Sequence, residues 1–62
     1  MEYTEWAEQY RARAGCWRLH SELARSESAR QHYLEIAHLY ETIAEDMAFL
    51  AKQEHSQKQA HR

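Results

Sequence analysis

The chain has 62 residues, a net charge of −2, no proline, one glycine and one cysteine. This length allows one domain, the single Cys16 excludes an internal disulfide, and no apolar run reaches the roughly 18 residues that span a membrane. The near-neutral charge gives no bulk attraction to nucleic acid or acidic lipid. Helix-forming residues dominate, so we expect an all-α fold, and a lone cysteine without a secretion signal favours a cytoplasmic location.

The first predicted helix covers about residues 4–24, with Thr4 as its N-cap and acidic residues in its first turns. Gly15 lies inside it at a cost of about 1 kcal/mol relative to alanine. This glycine either permits close approach by a neighbour, marks a weak bend, or is simply tolerated.

The break between the helices lies in "ARSESARQ", residues 24–31. Ser26 is the preferred N-cap of the second helix, with Glu27 at its first position, while Ser28 and Gln31 form a competing capping box. Either choice leaves a loop of two to four residues, which requires the two helices to run antiparallel.

The second predicted helix covers about residues 27–53 and has the clearest pattern in the chain. Three sets of residues each repeat at intervals of seven: Tyr33, Tyr40 and Met47; Ile36, Ile43 and Leu50; Ala37, Ala44 and Ala51. This is an apolar heptad stripe, and its alanines allow a second helix to approach closely. Residues 54–62 have almost no apolar side chain, and we expect them to form a flexible polar tail.

Two sides of the first helix are apolar. We expect one side to face the second helix, with Leu19 opposite Tyr33, and Ala12, Cys16 and Leu23 along the same line. The aromatic side would then have no cover within the chain, which predicts a homodimer that closes a four-helix bundle. The alternative is a marginal monomer with its aromatic rings on the surface. The predicted protein interface consists of Tyr3, Trp6, Tyr10, Trp17, Tyr40, Ile43, Met47 and Leu50.

The stretches "YRARAGCWRL" and "SARQHYLEIAHLYETIAED" resemble a family of short proteins and tail segments from rhizobia and other alphaproteobacteria. The family pattern reads approximately YRxRAxxCxxLA, a short capped turn, then RxxLLEIAxxYxxLAE, and the resemblance covers residues 10–46. Gly15 and Trp17 depart from it, as does Ser26-Glu27, where Asp-Pro is usual. The resemblance implies a helical hairpin of bacterial cytosolic origin and brings no activity with it. The matching residues are Tyr10, Arg11, Arg13, Ala14, Cys16, Leu19, Arg30, Leu34, Glu35, Ile36, Ala37, Tyr40, Ala44 and Glu45.

Two residue pairs have the spacing of chemical sites. Glu35 and His38 have the Glu-x-x-His spacing of di-iron bundles, but they point away from the apolar stripe, so we expect a solvated face and no metal. Cys16 and His20 are four residues apart, which suits a thiolate–imidazole pair, but a cysteine in the helix seam would be an inert packing residue. We therefore expect no enzyme activity, catalytic residue or cofactor.

Three arginines repeat every seven residues along the first helix: Arg11, Arg18 and Arg25. Nucleic-acid binding would use such a stripe beside aromatic rings, but it also favours a net positive domain, which this chain is not. The sequence therefore predicts a non-enzymatic helical protein that acts by self-association and protein binding, as an adaptor, regulator or inhibitor of a larger complex. Nucleic-acid association through the arginines is the alternative, and no membrane partner is expected.

Overall fold

The structure, a computed structural model, describes residues 2–60, and their side chains as far as His55. It contains two helices, α1 over Tyr3–Leu23 and α2 over Glu27–Ala60, packed against each other as an antiparallel hairpin. The predicted all-α helical hairpin is confirmed. Across the described residues, neither helix combines the length and apolar character that crossing a membrane requires.

The turn between the helices is fixed by Ser26, as predicted. Its side-chain oxygen accepts a hydrogen bond from the backbone N–H of Ala29 at 3.1 Å, and its carbonyl accepts the N–H of Arg30 at 3.0 Å. The first bond satisfies one of the four N–H groups that a helix start leaves without a partner. Glu27 then binds the side chain of Gln31 at 3.1 Å, which strengthens the first turn of α2.

Two helix boundaries differ from the predicted ones. Thr4 lies within the first turn of α1 rather than at the N-cap, a position that Glu2 occupies without a side-chain bond to the backbone. Helix α2 continues to Ala60, so the predicted flexible tail is helical from residue 54 to residue 60. Apolar residues are not needed to extend a helix that is already nucleated, and the Lys, Gln, Glu and Ala of this segment have high helix propensity. The last two residues of that predicted tail lie outside the described part.

Small residues form the seam between α1 and α2. Those on α1 repeat every seven residues and face two alanines of α2, and all are at most 4% exposed: Ala7, Ala14, Ser21, Ala37 and Ala44. Short side chains let the helix axes come close together, since nothing larger than a methyl or hydroxymethyl group separates them. The Ser21 hydroxyl donates a hydrogen bond to the Arg18 carbonyl at 2.6 Å, so no polar group of the seam lacks a partner.

The side of α1 that was expected to form this seam lies opposite to it. Ala12 and Cys16 are exposed, and Leu19 and Leu23 are 56% and 71% exposed. These four residues lie roughly 180° around α1 from the line through Ala14. The expected rotation of α1 is therefore wrong. Its physical reason is side-chain size, because alanine and serine permit a closer approach to the α2 alanines than leucine does.

The end of α2 extends past the start of α1. Tyr10 lies beside Tyr40 and Trp17 beside Tyr33, so the first turn of α1 reaches only the region of Met47. The longest dimension of the molecule is 56 Å, which is close to the roughly 51 Å of a 34-residue helix. The length of α2 therefore sets the length of the molecule.

Substitution of two alanines on opposite sides of α1 tests this rotation. We expect Ala14→Leu to destabilise the protein by about 1–3 kcal/mol, because the seam has no room for three more carbon atoms. Ala12→Leu, the matched control on the exposed side, should stay within about 0.5 kcal/mol of the parent. Thermal unfolding followed by circular dichroism measures both. The reverse order of effects would place Ala12 in the seam and contradict the observed packing.

Candidate interaction surfaces

Aromatic rings from both helices stack along one edge of the alanine seam. Trp6 stacks on Tyr10 with ring centroids 6.0 Å apart, and Tyr10 stacks on Tyr40 of α2 at 5.9 Å. Nearer the turn, Trp17 stacks on Tyr33 at 5.8 Å. The rings bridge the two helices across a seam too narrow to contain them, and such pairs contribute about 0.5–1.5 kcal/mol each beyond the area they bury.

Two histidines extend the ring cluster towards the turn. His20 lies 5.5 Å from Trp17 and 5.9 Å from Tyr33, and His32 lies 6.1 Å from the same tyrosine, between ring centroids. His20 is therefore a neighbour of aromatic rings at the edge of the seam.

The predicted interface residues lie along this same edge of the hairpin. In an antiparallel pair of right-handed helices, residues that are turned in the same direction away from the seam on each helix meet at the same edge of the pair. We call this edge the apolar flank; it consists of Trp6, Tyr10, Trp17, Ile36, Tyr40, Ile43, Met47 and Leu50. All of these are half-buried except Leu50, which is 39% exposed; Tyr3, at 38%, lies at the start of α1 near the same edge.

The expectation that the α1 aromatics have no cover within the chain is wrong. Tyr10 and Trp17 contact tyrosines of α2, and Trp6 contacts Tyr10. The prediction placed the Ala12–Leu23 side of α1 against α2, and this rotation of α1 turned its aromatic side away from α2. What remains accessible is the outward half of each ring, together with the aliphatic side chains of α2 beside it.

The opposite edge of the seam is charged. Arg18 of α1 forms an ion pair with Glu41 of α2, and the Nδ1 atom of His38 lies 4.0 Å from the same carboxylate. Arg11 lies on this edge of α1 and Arg25 lies in the turn after α1; both are exposed, and neither has an ion pair among the described side chains. The arginines of α1 therefore lie on the edge opposite the aromatic rings rather than beside them, and Arg18 is bound to an acidic residue.

The outer side of α1, away from α2, is a second apolar surface. We call it the outer face; it consists of Ala12, Cys16, Leu19 and Leu23. A shallow depression at one end of it is lined by Glu5, Glu8, Gln9, Ala12 and Arg13. Sequence reasoning found these apolar residues but assigned them to the seam. The seven-residue repeat of small residues at Ala7, Ala14 and Ser21, matched by the alanine repeat of α2, was the signal that identifies the true seam.

The residues of the two candidate chemical pairs lie on exposed parts of the hairpin. Glu35 and His38 are exposed, as predicted, and no group of three or more acidic, histidine or cysteine side chains within the described part could hold a metal ion. Cys16, expected in the seam, is instead exposed on the outer face.

No family model matches the chain, and neither a curated protein nor a solved structure is significantly similar to it. Functional inference therefore rests on the surfaces themselves.

The reactivity of Cys16 distinguishes the outer face from the seam. We expect iodoacetamide to alkylate Cys16 in the native protein at close to the rate in denaturant, because the thiol is exposed. The matched control is the double variant Cys16→Ser, Ala14→Cys, which moves the thiol half a helical turn, from the outer face to the seam. Its thiol would occupy a position 2% exposed and should react much more slowly. Strong protection of Cys16 in the parent would place this residue back in the seam.

Proposed function

We propose that this protein is a non-enzymatic helical hairpin that acts through self-association and protein binding. In this proposal two copies pack through their apolar flanks and close a homodimeric four-helix bundle. The observation that carries the proposal is the apolar flank itself, where aromatic and aliphatic side chains from both helices lie half-buried along one edge. Clusters of this composition are typical of protein interfaces.

The surface area of the chain supports a dimer. Its accessible surface is 5194 Å², whereas a compact monomer of this mass exposes roughly 4,200 Å². The difference, about 1,000 Å², is of the same order as the roughly 800 Å² that each partner buries in a standard interface. Part of the additional surface belongs to the end of α2 that extends past α1, and part to the flank.

The composition of the seam supports the same proposal. The buried apolar residues described are four alanines, which bury little area each, and no large side chain among the described residues is fully buried. Burial contributes about 25 cal/mol per Å² of apolar surface, so an alanine seam gives small stabilisation against the entropy of ordering. A second copy would complete the burial of the aromatic rings and of Ile43 and Met47.

The remaining parts of the proposal concern partners. A bacterial cytosolic adaptor, regulator or inhibitor of a larger complex would use such a hairpin without any catalytic residue. Nucleic-acid association through Arg11, Arg18 and Arg25 receives less support, because Glu41 binds the central arginine and reduces the positive potential of the stripe.

Analytical ultracentrifugation with circular dichroism over a dilution series tests the dimer. The parent should dissociate and lose stability together on dilution, because folding and assembly are linked. Ile43→Lys should weaken self-association at least about tenfold, since it places a charge at the centre of the flank. Phe49→Lys is the control, because Phe49 is 60% exposed and lies roughly 120° around α2 from Ile43. A parent that remains monomeric and fully helical at every concentration would refute the proposal.

A further inference from the structure

The outer face of α1 has the spacing of a helix-binding seam. Its four residues follow one another at intervals of four, three and four, which is the spacing that places knobs along one line of a coiled coil. The two leucines are 56% and 71% exposed, so the chain itself leaves them without cover. Amphipathic helices use apolar side chains at this spacing to bind a groove or another helix.

Gly15 lies beside this line, one turn from both Ala12 and Leu19. A Cβ atom placed on it would meet nothing within 4 Å, so no contact inside the chain explains the glycine. Its backbone is not in a conformation that requires glycine either, since no glycine in the described chain has positive φ. Together with the small side chains of Ala12 and Cys16, it leaves a shallow place where a second helix could approach the α1 backbone closely.

The border of the outer face on the side of Gly15 is acidic. Glu8, Gly15 and Glu22 repeat every seven residues along it, and Glu5 lies at its N-terminal end. All three glutamates are exposed, and none forms an ion pair among the described side chains. Glu5 and Glu8 also line the depression beside Ala12, together with Arg13, so a side chain that enters it meets two carboxylates and one guanidinium.

We propose that the outer face of α1 binds an amphipathic helix of another protein, with the apolar residues of that helix on the Leu19–Leu23 line and lysines or arginines along the edge that meets Glu8 and Glu22. Charge complementarity favours this partner, because Glu8 and Glu22, on the Gly15 side of the face, form no ion pair among the described side chains. This surface is distinct from the apolar flank, so both can be occupied at once.

A second copy of the chain fits this face poorly. In an antiparallel pair of outer faces centred near Cys16, Glu8 of each copy lies beside Glu22 of the other, on the same edge of the pair. Like charges in those positions repel, which disfavours association of the face with itself. A basic edge on a different protein removes the repulsion and replaces it with ion pairs.

Two synthetic three-heptad peptides test the proposal on the full-length protein. Both carry leucine at the a and d positions; one has lysine at e and g, the other glutamate. Fluorescence anisotropy measures binding, and the rate of Cys16 alkylation reports whether the outer face is occupied. We expect the lysine peptide to bind at least about tenfold more tightly than the glutamate peptide and to protect Cys16.

Matched variants locate the binding surface. The double variant Leu19→Ala, Leu23→Ala should weaken binding of the lysine peptide about tenfold or more, and its folding is secure because both leucines are exposed and alanine favours helix. Leu39→Ala, the control on α2, should leave binding unchanged. The double variant Glu8→Lys, Glu22→Lys should reverse the preference towards the glutamate peptide.

Four results would overturn the proposal. These are equal affinity for the two peptides, full binding by the double leucine variant, binding that leaves Cys16 unprotected, and loss of self-association when the outer leucines are replaced. The last result would assign the outer face to contact between copies. The first three results do not depend on the apolar flank, so they test the outer face even if the protein proves monomeric, and the proposed dimer is judged separately by the Ile43 variant.

Discussion

The close approach of α1 and α2 along a line of small residues is the constraint on which the rest of this structure depends. Ala7, Ala14 and Ser21 meet Ala37 and Ala44 with no larger side chain between them. Once the helices are this near, tryptophan and tyrosine rings no longer fit between them and must lie at the edge, where they stack across the gap. The leucines of α1 are then left on the far side. The placement of the stacked rings and of the α1 leucines therefore follows from the size of the small residues.

Much of this fold could be predicted from the sequence, because the signals were local. Ser26 as the cap of α2 follows from hydrogen-bonding chemistry at the turn, and the short loop sets the antiparallel direction. The rotation of α1 could not be read in the same way, because hydrophobicity alone favoured the side with Leu19 and Leu23. Side-chain size decides it instead, and that criterion becomes visible only when the small-residue repeats of both helices are compared. The end of α2 was misplaced because a polar segment was equated with a loss of helix.

The observed rotation of α1 exchanges its covered and exposed sides, which changes the surface that each side offers to a partner. The aromatic side, expected to be free, is partly covered by α2, so a partner on the apolar flank would contact the edge of an existing cluster rather than create one. The outer face, expected to be covered, is exposed, and no described residue of α2 packs on it. A single exposed leucine on a helix is common. Here Leu19 and Leu23 lie on one line beside Gly15, whose added Cβ would contact nothing, and beside the glutamates Glu8 and Glu22, so the surface is apolar with an acidic border.

The positions of the two surfaces have a consequence for assembly. The apolar flank runs along one edge of the seam, whereas the outer face lies on the side of α1 away from α2. Two copies joined through their flanks would each still present an outer face to solvent. A dimer would then bring two identical binding faces into one particle, and the second binding event of a two-site partner would become intramolecular. Weak binding by one outer face would then be enough for tight association with a two-site partner, because the avidity would come from the proposed dimer rather than from a larger contact.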